Sequence, residues 1–130
     1  MLQLFCVGNI TFVEFAEYVV QRWSSRKPLD SHWRPQHQIC QPCYINYNFI
    51  GRFENLDEDA KYVLAKLTAT GGEGSNVSFP YKNAFDKSVP LSQRLKHFYS
   101  ELSKDVVRKL VHMYKFDYEL FGYDYSWLGL

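Results

Sequence analysis

Residues 31 to 43 read SHWRPQHQICQPC, which places His32, His37, Cys40 and Cys43 within a short span that also holds a tryptophan and two prolines. Three chemistries are open to such a set. Thiolate and imidazole are both zinc ligands, so His32-x4-His37-x2-Cys40-x2-Cys43 could in principle close around a metal, although zinc modules usually pair two separated half-sites. Cys40-Gln-Pro-Cys43 has the spacing of a redox dithiol. That chemistry needs a helix N-terminus after the first cysteine to acidify the thiol, and a strand-like run comes next here instead. The third possibility is acid–base work. Imidazole titrates near pH ~6.5 and suits proton removal from a reacting hydroxyl. His32 is the leading candidate for such a base or for an acceptor contact, and His37 is the lesser one. The bland alternative is a structural loop with buried thiols, in which Trp33 and Pro35 serve packing. No Ser-His-Asp or Cys-His catalytic set assembles elsewhere. The glycines at 71, 72 and 74 lack the Lys-Ser/Thr of a phosphate loop.

Helices and one strand are expected to carry this segment. Thr11 and Glu14 form a capping-box pattern, and Phe12, Phe15, Ala16, Val19, Val20 and Trp23 come after it at helical spacing, so a helix is expected over about 12–23. Tyr44 to Ile50 is aromatic and β-branched and ends at Gly51, which predicts a strand. Asn55, followed by Asp57, Glu58 and Asp59, marks a helix start, with Ala60, Val63, Leu64 and Leu67 as its apolar face. Residues 70–76 read as a surface loop, and 79–81 as a short extended piece. Leu91, Leu95, Phe98 and Leu102 mark a third helix. Ser103 caps a fourth that buries Val106, Val107, Leu110, Val111 and Tyr114. The aromatic tail from Phe116 to Trp127 is expected to pack. One strand cannot satisfy its own ladder, so its partners must come from weaker segments or from outside the chain.

Composition bounds the reading. The chain has 130 residues, 46% hydrophobic and 18% aromatic, with net charge +1. That suits one small ordered domain and speaks against a nucleic-acid binder, which needs clustered Lys and Arg. No apolar run approaches the ~20 residues of a membrane span, and the first residues lack the basic start of a signal peptide. Two sequons, Asn9-Ile-Thr11 and Asn76-Val-Ser78, are candidate glycosylation sites at Asn9 and Asn76. Cys6, Cys40 and Cys43 are disulfide candidates, and their odd number leaves one without an internal partner.

The order of several motifs resembles one family. Ile10-Thr-Phe-Val-Glu-Phe15, His32-Trp33, Cys40-x-Pro-Cys43, Tyr47-Asn-Phe-Ile-Gly-Arg-Phe-Glu-Asn-Leu56 and Asp59-Ala-x-Tyr-Val-Leu64 look like the C-terminal half of Golgi carbohydrate sulfotransferases. That family includes the chondroitin, dermatan and N-acetylgalactosamine 4-O-sulfotransferases and the enzyme of the natural-killer epitope. The tail, Tyr114 to Tyr123, resembles the family's ending. The segment 71–103 matches only loosely.

The resemblance implies an α/β fold, the C-terminal portion of a nucleotide-kinase-like (P-loop-type) sheet with flanking helices, here helix-rich with few strands. It implies transfer of sulfuryl from 3′-phosphoadenylyl sulfate (PAPS) to a glycan hydroxyl, a location on the luminal side of the Golgi membrane, and an anchor upstream of this chain. Neither a nucleic acid nor a metal is expected as partner. His32 would be the base or acceptor contact, Trp33 would shape the sugar site, and Arg52 would meet an acidic group of the acceptor. The family has Asp where this chain has Asn48, and Thr where it has Asn55. A carboxylate contact at position 48 is therefore in question. The family's Lys loop for the 5′-phosphosulfate and its Arg/Ser segment for the 3′-phosphate lie upstream of these motifs. The 1–130 stretch is thus expected to be one partial domain, without the donor-binding half and inactive by itself. A catalytically inactive partial domain and a small Cys/His zinc-binding module are the rival readings.

Overall fold

The computed structural model describes residues 9–69 and 90–130. Two units emerge, one formed by residues 1–45 and 88–130 and the other by 46–87. The first unit is built on helix α1 (Phe12–Ser24) and helix α5 (Lys104–Met113), which pack together. Local chemistry starts both. The Thr11 hydroxyl accepts from the Glu14 backbone N–H at 3.2 Å while the Glu14 carboxylate accepts from the Thr11 N–H at 2.9 Å, a reciprocal cap as expected from the sequence. Those bonds from Thr11, backbone N–H first and hydroxyl second, hold the Glu14 carboxyl below its ordinary range. Ser103 opens α5 by accepting from the Val106 N–H at 3.3 Å.

Apolar residues at helical spacing then form the interface. Ala16, Val19 and Val20 of α1 meet Val106, Val107, Leu110 and Met113 of α5, with Leu102 beside them, all buried. Each fully buried valine or leucine contributes about 1.5–3 kcal/mol. Val111 and Tyr114, expected inside, are half-buried at the edge. Helix α4 (Leu91–Ser100) adds Phe98 and Tyr99, whose rings lie 5.5 and 5.6 Å from Phe12. Helix α6 (Lys115–Phe121) succeeds α5 almost at once and ends at Gly122, whose φ of +64° is where glycine carries no steric cost. The tail returns to the core as expected: Leu128 packs on the cluster, and Trp127 meets Tyr99 edge-on at 5.4 Å.

The strand expected over Tyr44–Ile50 is not formed, and among the described residues there is no strand at all. The backbone N–H groups of Tyr44 and Ile45 both turn back to the Gln41 carbonyl, at 2.9 and 3.0 Å, and curl the chain where a strand would extend it. Among the described residues no neighbouring strand competes for those donors. Of the expected architecture, the described residues show the helix-rich part.

In the second unit, Asn55 is not an isolated cap. It closes a 3-10 turn, Phe53–Asn55, that runs directly into helix α3 (Leu56–Ala69). The expected apolar face of α3 is only partly covered: Ala60 and Leu64 are half-buried, while Val63 and Leu67 are exposed. Its Tyr62 stacks on Phe49 at 5.1 Å, and Asp59 accepts from the Arg52 N–H at 2.7 Å. The loop expected over 70–76 and the extended piece at 79–81 lie outside the described residues.

Candidate functional site

The His32 segment leaves α1 through a tight turn. Arg22, in the last turn of α1, donates from Nε and Nη2 to the Pro28 carbonyl at 3.1 and 2.7 Å. Arg34 holds the Leu29 carbonyl at 2.9 Å, so the loop is pinned from both sides. Asp30 then sets the backbone and ring of His32. Its Oδ1 accepts from the His32 N–H at 3.0 Å and from His32 Nδ1 at 2.6 Å. The backbone bond, with the imidazole bond second, pulls the Asp30 carboxyl below its ordinary range. A carboxylate only accepts, so Nδ1 of His32 carries the proton and Nε2 is left to act as acceptor. The His32 side chain is 84% exposed.

Trp33 is half-buried beside it. Its ring packs on the core and meets Phe15 edge-on at 5.4 Å, and its buried Nε1 has no acceptor among the described residues. Its carbonyl accepts from the Tyr114 hydroxyl at 2.6 Å. Pro35 is fully buried and starts helix α2 (Gln36–Cys40), which packs against α6.

His37 has a second carboxylate partner. Asp117 on α6 accepts three bonds: from Gln36 N–H at 2.6 Å, His37 N–H at 2.8 Å and His37 Nδ1 at 2.6 Å. Asp117 is the only buried charged residue among those described, and the His37 ring also meets Phe116 edge-on at 5.5 Å.

These elements enclose a cleft of about 420 Å³, lined by His32, Trp33, Arg34, Tyr114, Asp117, Tyr118 and Tyr123 among others. Burial, helped by Tyr99 and Asp117, pushes both the Tyr114 and Tyr118 phenols up to about 12. They are neutral donors at physiological pH and cannot serve as bases. His37 borders a separate hollow of about 590 Å³ with Cys43 and Tyr44.

The rival chemistries fare poorly on geometry. Among the described residues no three His, Cys, Asp or Glu side chains converge as a metal site. His32 and His37 each turn Nδ1 to a different carboxylate, so the four-residue zinc set is not assembled. Cys40 ends α2 and does not precede a helix, so the acidifying dipole is absent. Cys40 is half-buried and Cys43 exposed, and Cys6 lies outside the described residues. Asn9 is exposed, and Asn76 is outside the described residues. Arg52 belongs to the second unit.

Asp30, Asp117 and Tyr114 are the residues that sequence reasoning passed over as parts of a site. Asp30 had a local signal, since an aspartate two residues before another residue commonly accepts from its backbone N–H. Asp117 had none, being 80 residues from His37.

A model of the sulfotransferase family matches residues 3–124. Carbohydrate sulfotransferase 11 of Danio rerio is 38% identical over 118 residues, covering 89% of this chain and 32% of the relative. Carbohydrate sulfotransferase 14 of the same fish is 34% identical over 117 residues, with 89% and 30% covered. Carbohydrate sulfotransferase 8 of Mus musculus is 30% identical over 120 residues, with 89% and 27% covered. The chain therefore spans about a third of the length of the curated relatives it matches. No solved structure matches. The His32 loop, the α2 turn and the α6 carboxylate that meets it all fall inside the matched span, and on that match the chain belongs to the sulfotransferase family.

Proposed function

We propose that this chain is the acceptor side of a PAPS-dependent carbohydrate O-sulfotransferase, with His32 as the general base. One observation carries the assignment of the base: His32 stands at a concave surface with Nδ1 tied to Asp30 at 2.6 Å, which leaves Nε2 open to a sugar hydroxyl. In the reaction the hydroxyl oxygen attacks sulfur while Nε2 takes its proton. A new O–S bond forms, the bond from sulfur to the phosphate oxygen breaks, and 3′-phosphoadenosine 5′-phosphate leaves. Asp30 stabilises the imidazolium that results. Tyr118 and Tyr123 supply aromatic surface and hydroxyls for the sugar.

Donor binding belongs, in this reading, to the part of the relatives' length that the match does not span, as does a membrane anchor. No helix among the described residues is long and apolar enough to cross a membrane. A luminal Golgi setting is inferred from the resemblance to the family. The P-loop-type sheet would be completed by that same outside part.

Two measurements test the reading. Titration calorimetry of this chain with 3′-phosphoadenosine 5′-phosphate should show no binding, and micromolar affinity would refute the division of labour. In the enzyme, His32→Ala should lower sulfate transfer to a glycan acceptor by about 10²–10⁴-fold while donor affinity is kept. Near-normal turnover would remove His32 from the role.

A further inference from the structure

We propose that Asp117 is a positioning residue for the His32 segment, acting through the Pro35–His37 turn, with Tyr114 as its second hold. The proposal rests on the reading of His32 as the working base. Asp117 spends both carboxylate oxygens inward: Oδ2 on the Gln36 N–H, Oδ1 on the His37 N–H and on His37 Nδ1. Two of those donors are unpaired backbone groups at the start of α2, a helix too short to hold its own place. Pro35 at that start has no side-chain cap, so the cap comes from α6. One turn earlier on the same side of the molecule, Tyr114 donates to the Trp33 carbonyl at 2.6 Å. The chain from Trp33 to His37 is therefore fastened at two points by residues of the α5–α6 corner, and His32 is the residue immediately before the first of them.

The same geometry separates the two histidines by task. A ring whose Nδ1 and whose own backbone N–H share one carboxylate oxygen on a distant helix is held as part of a joint. His37 is that joint. His32 has its carboxylate partner on its own loop, and its ring faces outward. Without the joint, Asp30 would still orient the His32 ring on its loop, but the loop would no longer be set against the cleft wall formed by Tyr114 and Tyr118.

The test uses the full protein and Asp117→Asn, which keeps the shape and loses one acceptor and the charge, alongside Tyr114→Phe. Nitrogen NMR of the histidine rings should show His37 in its Nδ1–H form in the unaltered protein and not in Asp117→Asn. Amide exchange at Gln36 and His37 should accelerate by about tenfold or more, while amides of α1 and α5 keep their rates. Tyr114→Phe should leave the His37 form unchanged. In the enzyme, kcat of Asp117→Asn should fall about 10–100-fold with the donor KM held. Unchanged exchange and ring form, equal acceleration throughout α1 and α5, or unaltered kcat would each overturn the proposal. Absence of transfer by the unaltered enzyme would instead overturn the reading of His32, and it shows before any substitution is made.

Discussion

Two histidine–aspartate pairs in this chain have the same contact, Nδ1 to Oδ1 at 2.6 Å, and differ in nearly everything else. Asp30 and His32 are two residues apart, with the imidazole in solvent. Asp117 and His37 are 80 residues apart, and their side chains are 9% and 20% exposed. An exposed pair gains little stability from its contact, because water screens it. A buried carboxylate with three donors is costly to disturb, because each donor left behind has no water to turn to. One pair thus lies open to solvent, while the other ties the start of α2 to α6.

Substitutions separate the two pairs in order of effect. Replacing His32 by alanine should lower turnover in the enzyme by about 10²–10⁴-fold, while the circular-dichroism melt stays where it was. Asp117→Ala should do the reverse kind of damage, lowering unfolding free energy by about 2–4 kcal/mol in urea through the stranded Gln36 and His37 donors. Asp30→Ala should leave the urea midpoint unchanged. Equal midpoint shifts for Asp30 and Asp117 would erase the distinction.

Alkali sharpens the comparison from the buried side. Tyr114 and Tyr118 flank Asp117 in the cleft wall, and burial raises both phenols from 10.0 to about 12. The folded state holds these protons more tightly than the unfolded chain does. Their contribution to stability is therefore whole below pH 10 and is lost as pH climbs toward 12. Urea midpoints across that window should fall, and Tyr118→Phe should flatten the fall. A midpoint that holds constant to pH 12 would contradict the burial of these rings.

A smaller effect than that of Asp117 belongs to another local pair. Thr11 and Glu14 are neighbours on one exposed helical turn, like Asp30 and His32 on their loop. Thr11→Ala should cost about 1 kcal/mol, the ordinary loss of a helix cap. A loss as large as that of Asp117→Ala would mean that exposure does not divide the pairs.

Much of the helical frame is legible residue by residue. Thr11 and Ser103 open helices because their hydroxyls reach N–H groups three residues on, and Val19, Val20, Val107 and Leu110 fall on faces that must be buried. The strand expected at Tyr44–Ile50 fails for a physical reason. β-Branched and aromatic composition reports a liking for a sheet surface, and among the described residues no second strand offers one, so Gln41 takes the donors. The apolar face of α3 is a true pattern, yet a pattern does not say what lies opposite, and Val63 and Leu67 stand exposed. His32 is nominated from sequence because imidazole suits proton removal near neutral pH. Its orienter Asp30 is equally local, and its signal is an ordinary loop aspartate that composition does not single out.

By itself the sequence determined where α1 and α5 begin and which of their faces turn inward, because capping and amphipathic spacing act over a few residues. Which carboxylate each histidine meets was decided only by tertiary structure. A carboxylate 80 residues along the chain reaches His37 and not His32, and burial at that contact, which no local pattern encodes, sets it apart from the exposed pair at His32.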